Sequence, residues 1–192
     1  VYGSDIAAPT LNEMPAITNV VELTLSGSKT VGTALFLTHD SVFVDKEIVA
    51  ENSLSEWSHN VTLIEGTNSF EVYSKKTGVD TKSGSAKGSV VLDTIPPAKP
   101  VIDSPTSSTG DAVVEVKGTK SEDGNLCLRR DQEALCQAVV AIDAPSEFSY
   151  QLLLNDGENN VCFSSADLIG NLSEEVCFVI YKIAGPDVTI IK

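Results

Sequence analysis

Apolar and polar residues alternate with a period of two in short stretches along the whole chain, and clusters of Gly, Asn, Asp and Ser separate those stretches. Antiparallel strands with one dry and one wet face produce this pattern. It predicts strands at 20–25, 33–37, 42–49, 57–63, 69–74 and 87–92, then again at 112–116, 126–129, 135–142, 148–153, 160–164 and 176–181. A short strand at Thr10 or Val101 brings each set to about seven, the number in an immunoglobulin-like sandwich. The expected fold class is therefore all-β, two tandem immunoglobulin-like β-sandwich domains.

The second set repeats the first. Pro9 aligns with Pro100, Gly27 with Gly118, Leu35 with Leu126, Leu37 with Leu128, Trp57 with Phe148, Gly66 with Gly157, Asn68 with Asn159 and Phe70 with Val161, all at a separation of 91. Beyond these positions the offset falls by a few residues, as loops vary in length. The alignment also settles 133–141, which has helical propensity taken alone but whose counterpart at 42–49 is rich in β-branched residues. Glu65-Gly-Thr-Asn68 and Asp156-Gly-Glu-Asn159 occupy the same place in both copies and are read as tight hairpin turns, Gly taking the positive φ and Asn bonding its own backbone.

Each copy ends in a proline-containing linker, Asp93-Thr-Ile-Pro-Pro-Ala-Lys-Pro100 and Ala184-Gly-Pro-Asp187. Fixed φ at proline makes such joints stiff, so a semi-rigid rod is expected. The boundaries expected are 1–8 as the tail of a preceding unit, 9–97 as the first domain, 98–185 as the second, and 186–192 as the start of a further unit, since Val188-Thr-Ile-Ile191 repeats the opening pattern. The chain is read as a piece of something longer.

Val21-Glu-Leu-Thr-Leu-Ser-Gly27, Trp57-Ser, Val61-Thr-Leu-Ile-Glu-Gly-Thr-Asn-Ser-Phe70 and Ser165-Ala-Asp-Leu-Ile-Gly-Asn-Leu-Ser173 resemble bacterial Ig-like repeats. That resemblance implies modules stacked end to end in secreted and surface proteins such as large adhesins, or accessory modules of carbohydrate-active enzymes. It covers roughly Pro9 to Lys182 and rests on turns and core positions. The first copy departs from the family's Asp-x-x-Gly-Asn pattern with Lys76-Thr-Gly-Val-Asp80, and the resemblance carries no ligand site to either copy.

All four cysteines, Cys127, Cys136, Cys162 and Cys177, lie in the second copy. Alternation turns Leu126, Leu128, Val161, Phe163, Val176 and Phe178 to the core, so every cysteine is expected to point outward. Outward thiols on neighbouring strands favour the bridges Cys127 with Cys136 and Cys162 with Cys177, and with them an oxidising compartment: cell surface, medium or periplasm. Four reduced thiols in a cytosolic protein are the second account, and a zinc site is the weakest, because no Cys-x-x-Cys knuckle is present and both histidines belong to the first copy.

Composition narrows the partners. Thirteen Lys and Arg against 27 Asp and Glu leave a net charge of −14. Such a surface repels phosphate backbones and anionic lipid, so neither nucleic acid nor a membrane surface is an expected partner. No apolar run approaches the roughly 20 residues of a bilayer span, and no membrane insertion is expected.

Little in the sequence offers catalysis. His39, near a hairpin tip, and His59 are read as surface histidines, and Gly-x-Ser-x-Gly, His-Glu-x-x-His and Walker patterns are absent. No enzyme activity and no cofactor are expected. If Ca²⁺ binds, the joint flanked by Asp93, Asp103 and Asp187 is a better place than Ser121-Glu-Asp-Gly-Asn125. Trp57, the sole tryptophan, aligns with Phe148 and is read as a core plug in preference to a sugar platform. Arg129, Arg130, Asp131, Gln132 and Glu133 form the candidate contact loop, a charged tip that the first copy lacks. The leading expectation is a non-catalytic extracellular stalk or adhesive segment. Its partners would be an extracellular protein or glycan and further Ig-like repeats of the same chain. A binding module using loops of the second domain, and accessory domains of a larger secreted carbohydrate-active enzyme, are the alternatives.

Overall fold

The computed structural model describes residues 6–40, 42–78, 81–103, 105–131 and 137–184. The described chain is all β-structure and divides into two units, Val1–Thr94 and Ile95–Lys192, a division a few residues ahead of the expected 97/98 boundary.

Unit one contains β1 (Ile17–Thr18), β2 (Glu22–Ser28), β3 (Thr33–His39), β4 (Phe43–Asn52), β5 (Glu56–Thr62), β6 (Gly66–Lys75) and β7 (Lys82–Leu92). One sheet runs β1-β7-β6-β3-β4, and β2 pairs with β5 in the other. Unit two contains β8 (Val101–Ile102), β9 (Ser108–Thr109), β10 (Val113–Thr119), β11 (Asn125–Arg130), β12 (Gln137–Val140), β13 (Glu147–Leu153), β14 (Gly157–Ala166) and β15 (Val176–Lys182). Its sheets run β12-β11-β14-β15-β9 and β13-β10-β8. Thr10 and Asn12 donate backbone hydrogen bonds to Ser28 and Ser26, so the opening segment of unit one lies where β8 lies in unit two.

Each unit closes its own core between two sheets. The central buried residues of unit one include Leu25, Leu35, Leu37, Trp57, Val61, Phe70 and Val72; those of unit two include Val116, Leu126, Leu128, Phe148, Leu152, Val161 and Phe163, each 91 positions on. On the last strand Val90 answers to Ile180, because Asn68 pairs with Val90 where Asn159 pairs with Ile180. The drop in offset is thus one residue at the final strand. Each such side chain contributes about 1.5–3 kcal/mol by leaving water, which makes the alternation a folding instruction.

Two local devices recur. Gly27 and Gly118 face the carbonyl oxygens of Thr10 and Val101 so closely that a Cβ at either would collide with backbone. Asn68, fully buried, accepts from the Ile64 amide (2.9 Å) and donates to the Ile64 and Gly66 carbonyls (2.7 and 2.9 Å). Asn159 bonds Asn155 and Gly157 in the same way. Gly66 and Gly157 have φ of 89° and 88°, as expected. The turn is nevertheless no hairpin: β5 and β6, like β13 and β14, belong to different sheets, so the motif carries the chain from one layer to the other.

Candidate functional site

The chemistry richest in unit two lies on the face of β11, β14 and β15 that alternation turns away from the core. Cys162 and Cys177 stand directly opposite on β14 and β15 and form a disulfide, their Cα atoms 4.1 Å apart. Closely opposed residues of an antiparallel pair bring the sulfurs into reach. Arg129 faces Cys162 from β11 and places Nη2 3.3 Å from its Sγ. The same guanidinium grips Glu175 through Nε and Nη2, both at 2.7 Å, and Glu175 Oε2 lies 3.9 Å from Cys177 Sγ. The two-pronged ion pair holds the Arg129 guanidinium above its usual value and holds the Glu175 carboxyl below the usual carboxylate range, the hydrogen bonds being the larger cause for each.

The expected bridge between Cys162 and Cys177 is present. Cys127 corrects the picture of an outward half-cystine: it lies on the outer face but is a buried free thiol, 4% exposed, between Ala138 and the buried Ser164. Its expected partner Cys136 lies outside the described residues, as do Gln132 and Glu133 of the contact loop. The rest of that loop is committed within the unit. Arg129 and Arg130 belong to β11; beyond its hold on Glu175, Arg129 donates to the Asp131 carbonyl (3.1 Å), and Arg130 donates to the Leu153 carbonyl (2.7 Å). Asp131, at φ 47°, exchanges hydrogen bonds with the Asn160 backbone. In the described part of the charged tip, each guanidinium finds an acceptor on the same unit.

Unit one shows what the bridge replaces. Glu71 and Lys87 occupy the cross-strand place of Cys162 and Cys177 and form an ion pair at 3.4 Å, with Ser85 donating to Glu71 at 2.6 Å. Phe36 and Tyr73 stand where Cys127 and Ser164 stand, stacked with centroids 5.5 Å apart. Lys75 lies 4.8 Å from the Phe36 ring centre and Lys82 lies 4.6 Å from that of Tyr73. Ammonium groups cap this aromatic pair, so it is no open apolar patch.

Sequence reasoning missed a pair of buried lysines at the same 91-residue separation. Lys29 is 6% exposed and donates to the Thr33 carbonyl at 2.9 Å; burial pulls its ammonium below the usual lysine value, Glu51 opposing. Lys120 is 4% exposed and donates to the carbonyls of Ser121, Gly124 and Ile142 at 3.2, 3.2 and 3.1 Å. The ammonium of Lys120 therefore takes up two backbone carbonyls of the acidic Ser121–Asn125 loop, those of Ser121 and Gly124. The signal available was the alignment of two lysines across the repeat.

His39 is a second correction. It is fully buried, hydrogen-bonded through Nε2 to Asn68 Oδ1 at 2.8 Å and enclosed by the Phe43 and Phe70 rings. The hairpin position was right, but the inter-sheet corner and two aromatic rings close over it. His59 is partly buried and lies below its ordinary pKa, through burial first and Lys46 second. Neither histidine bonds a serine, cysteine or carboxylate among the described residues. Trp57, 5% exposed, is a core residue that donates to the Thr10 carbonyl at 3.3 Å, as the plug reading required. It borders a groove of about 760 Å³ in which Asn12 bonds Ser26 and Thr10 bonds Ser28.

Among the described residues, the cluster able to offer three metal ligands is Cys162, Glu175 and Cys177. Bonded sulfurs carry no thiolate, and the carboxylate is taken by Arg129, so this cluster does not fit a metal as it stands. No described helix is long and apolar enough to cross a membrane.

No protein-family model matches the chain, and no curated protein matches it. Solved structures similar to it include the fibronectin(III)-like modules of Clostridium thermocellum CbhA, at 14% identity over 94% of this chain and 92% of that one, TM-score 0.48. The FN1-FN3 domains of chicken CNTN1 are 13% identical over 92% of this chain and 69% of that one, TM-score 0.42. A two-domain fibronectin type III segment of chicken tenascin is 11% identical over 93% and 100%, TM-score 0.36. The strand order and paired cores define the class: the chain is two tandem immunoglobulin-like β-sandwich domains.

Proposed function

We propose that the chain is a non-catalytic structural segment of an extracellular protein, secreted or held at a cell surface, whose tandem units form a stalk and present a surface to a protein or glycan. The observation that carries this reading is the double closure: each unit buries a complete core of its own, at equivalent positions. A module that needs nothing from its neighbour to fold is suited to being strung in series. The Cys162–Cys177 bridge supports an oxidising compartment, where disulfides persist. The braced arginines support a mechanical role, since they tie β11 to β13 and to the segment before β15. The resemblance to bacterial Ig-like repeats of adhesin-type proteins agrees with it.

Pulling the whole chain by its ends tests the proposal. Two separate unfolding events are expected. The bridge spans 15 residues and withholds them from extension; at about 3.4 Å per residue, the event of unit two should lengthen by about 50 Å after reduction. A single joint event, or unfolding without measurable resistance, would refute the stalk.

A further inference from the structure

The two sulfurs of the bridge differ in their surroundings. Cys177 is exposed, whereas Cys162 is 8% exposed and has the Arg129 guanidinium 3.3 Å from its sulfur. A cation beside a thiol favours its thiolate, and the sulfur with the more stable thiolate is the better leaving group in exchange. Glu175 lies 3.9 Å from Cys177 Sγ and disfavours negative charge there. Access and leaving-group stability therefore agree on direction, attack at Cys177 and departure from Cys162, while the Glu175 carboxylate slows the exchange by repelling the incoming thiolate and sharing the Arg129 charge.

Opening the bridge need not undo the unit. Neither cysteine belongs to the core cluster of unit two. The same sandwich forms in unit one with the Glu71–Lys87 ion pair at the equivalent place.

We propose that Cys177 is a site of thiol modification. A low-molecular-weight thiolate attacks Cys177 Sγ, its electron pair forms the new S–S bond, the old bond breaks, and that pair departs with Cys162 as a thiolate held by Arg129. One disulfide and one thiolate enter, and one mixed disulfide and one thiolate leave. No further oxidant is required.

The test uses the full chain with reduced glutathione as probe, acid quenching, alkylation and peptide mapping, with Trp57 fluorescence following the fold of unit one and circular dichroism that of the whole chain. Glutathione is expected on Cys177 and the alkyl group on Cys162, with the fold retained. Arg129→Gln should slow exchange by about tenfold through loss of the stabilised leaving group. Glu175→Gln should speed it, because Arg129 then keeps its whole charge for Cys162 and the carboxylate no longer repels the incoming thiolate. Glutathione on Cys162, exchange confined to denaturant, or a Glu175→Gln rate at or below the native one would overturn the proposal. The last measurement decides alone if Arg129→Gln fails to fold.

Discussion

Replacing Lys120 by methionine removes an ammonium from three backbone carbonyls, while the same change at Lys29 removes one from a single carbonyl. The repeat thus supplies its own control. Orphaning a buried acceptor costs about 1–3 kcal/mol. Only the Gly124 bond of Lys120 is wholly buried, so water can recover part of the loss at Ser121 and Ile142. Methionine keeps most of the stem volume, and removing the charge relieves the desolvation that holds Lys29 below its usual pKa. The net expectation is about 3 kcal/mol for Lys120→Met and about 1 kcal/mol for Lys29→Met. With a urea slope of about 1 kcal/mol/M for units of this size, the midpoint of unit two should fall by about 3 M and that of unit one by about 1 M. Trp57, the sole tryptophan, reports unit one by fluorescence; hydrogen exchange in peptides from β14 and β15 reports unit two. Equal losses, or a Lys120→Met effect within about 0.5 kcal/mol of native, would show that the lysines do not organise these loops.

His59 supplies a pH dependence. Its folded pKa is lowered, so between the folded and unfolded values the unfolded chain holds more protons, and stability rises as pH climbs through that window and falls on acidification. His59→Gln should flatten the stability profile of unit one below about pH 6.5, read by Trp57 fluorescence in urea at several pH values; an unchanged slope would contradict the assignment. The bridge should be transferable to unit one. Glu71→Cys with Lys87→Cys places two thiols at the cross-strand pair equivalent to Cys162 and Cys177. The pair should oxidise in air and add about 3 kcal/mol to unit one. Thiol titration and the shift in the Trp57 midpoint check it, and two titratable thiols after oxidation would show that the equivalence fails.

The longer strands, the repeat and most of the core are legible in the chain's alternation. Leu25 and Phe70 sit between polar neighbours, and Val116, 91 positions beyond Leu25, does the same, so the pattern that buries one face is readable before any folding. The direction of the cysteines at 162 and 177 followed from that alternation. Two short elements escaped it: β1 and β9 pair in parallel with β7 and β15 but are too short to show a period. Long-range partners came with folding. Arg129 meets Glu175 across 46 positions, and Lys120 meets Ile142 across 22. Charged residues that read as surface by type become internal braces when folding brings an acceptor to them. His39 likewise passed from surface to core because Asn68, Phe43 and Phe70 converge on it. Periodicity records which face of a strand is dry, a property of neighbours in sequence; hydrogen-bond partners across sheets are set by chain closure, and no local pattern encodes them.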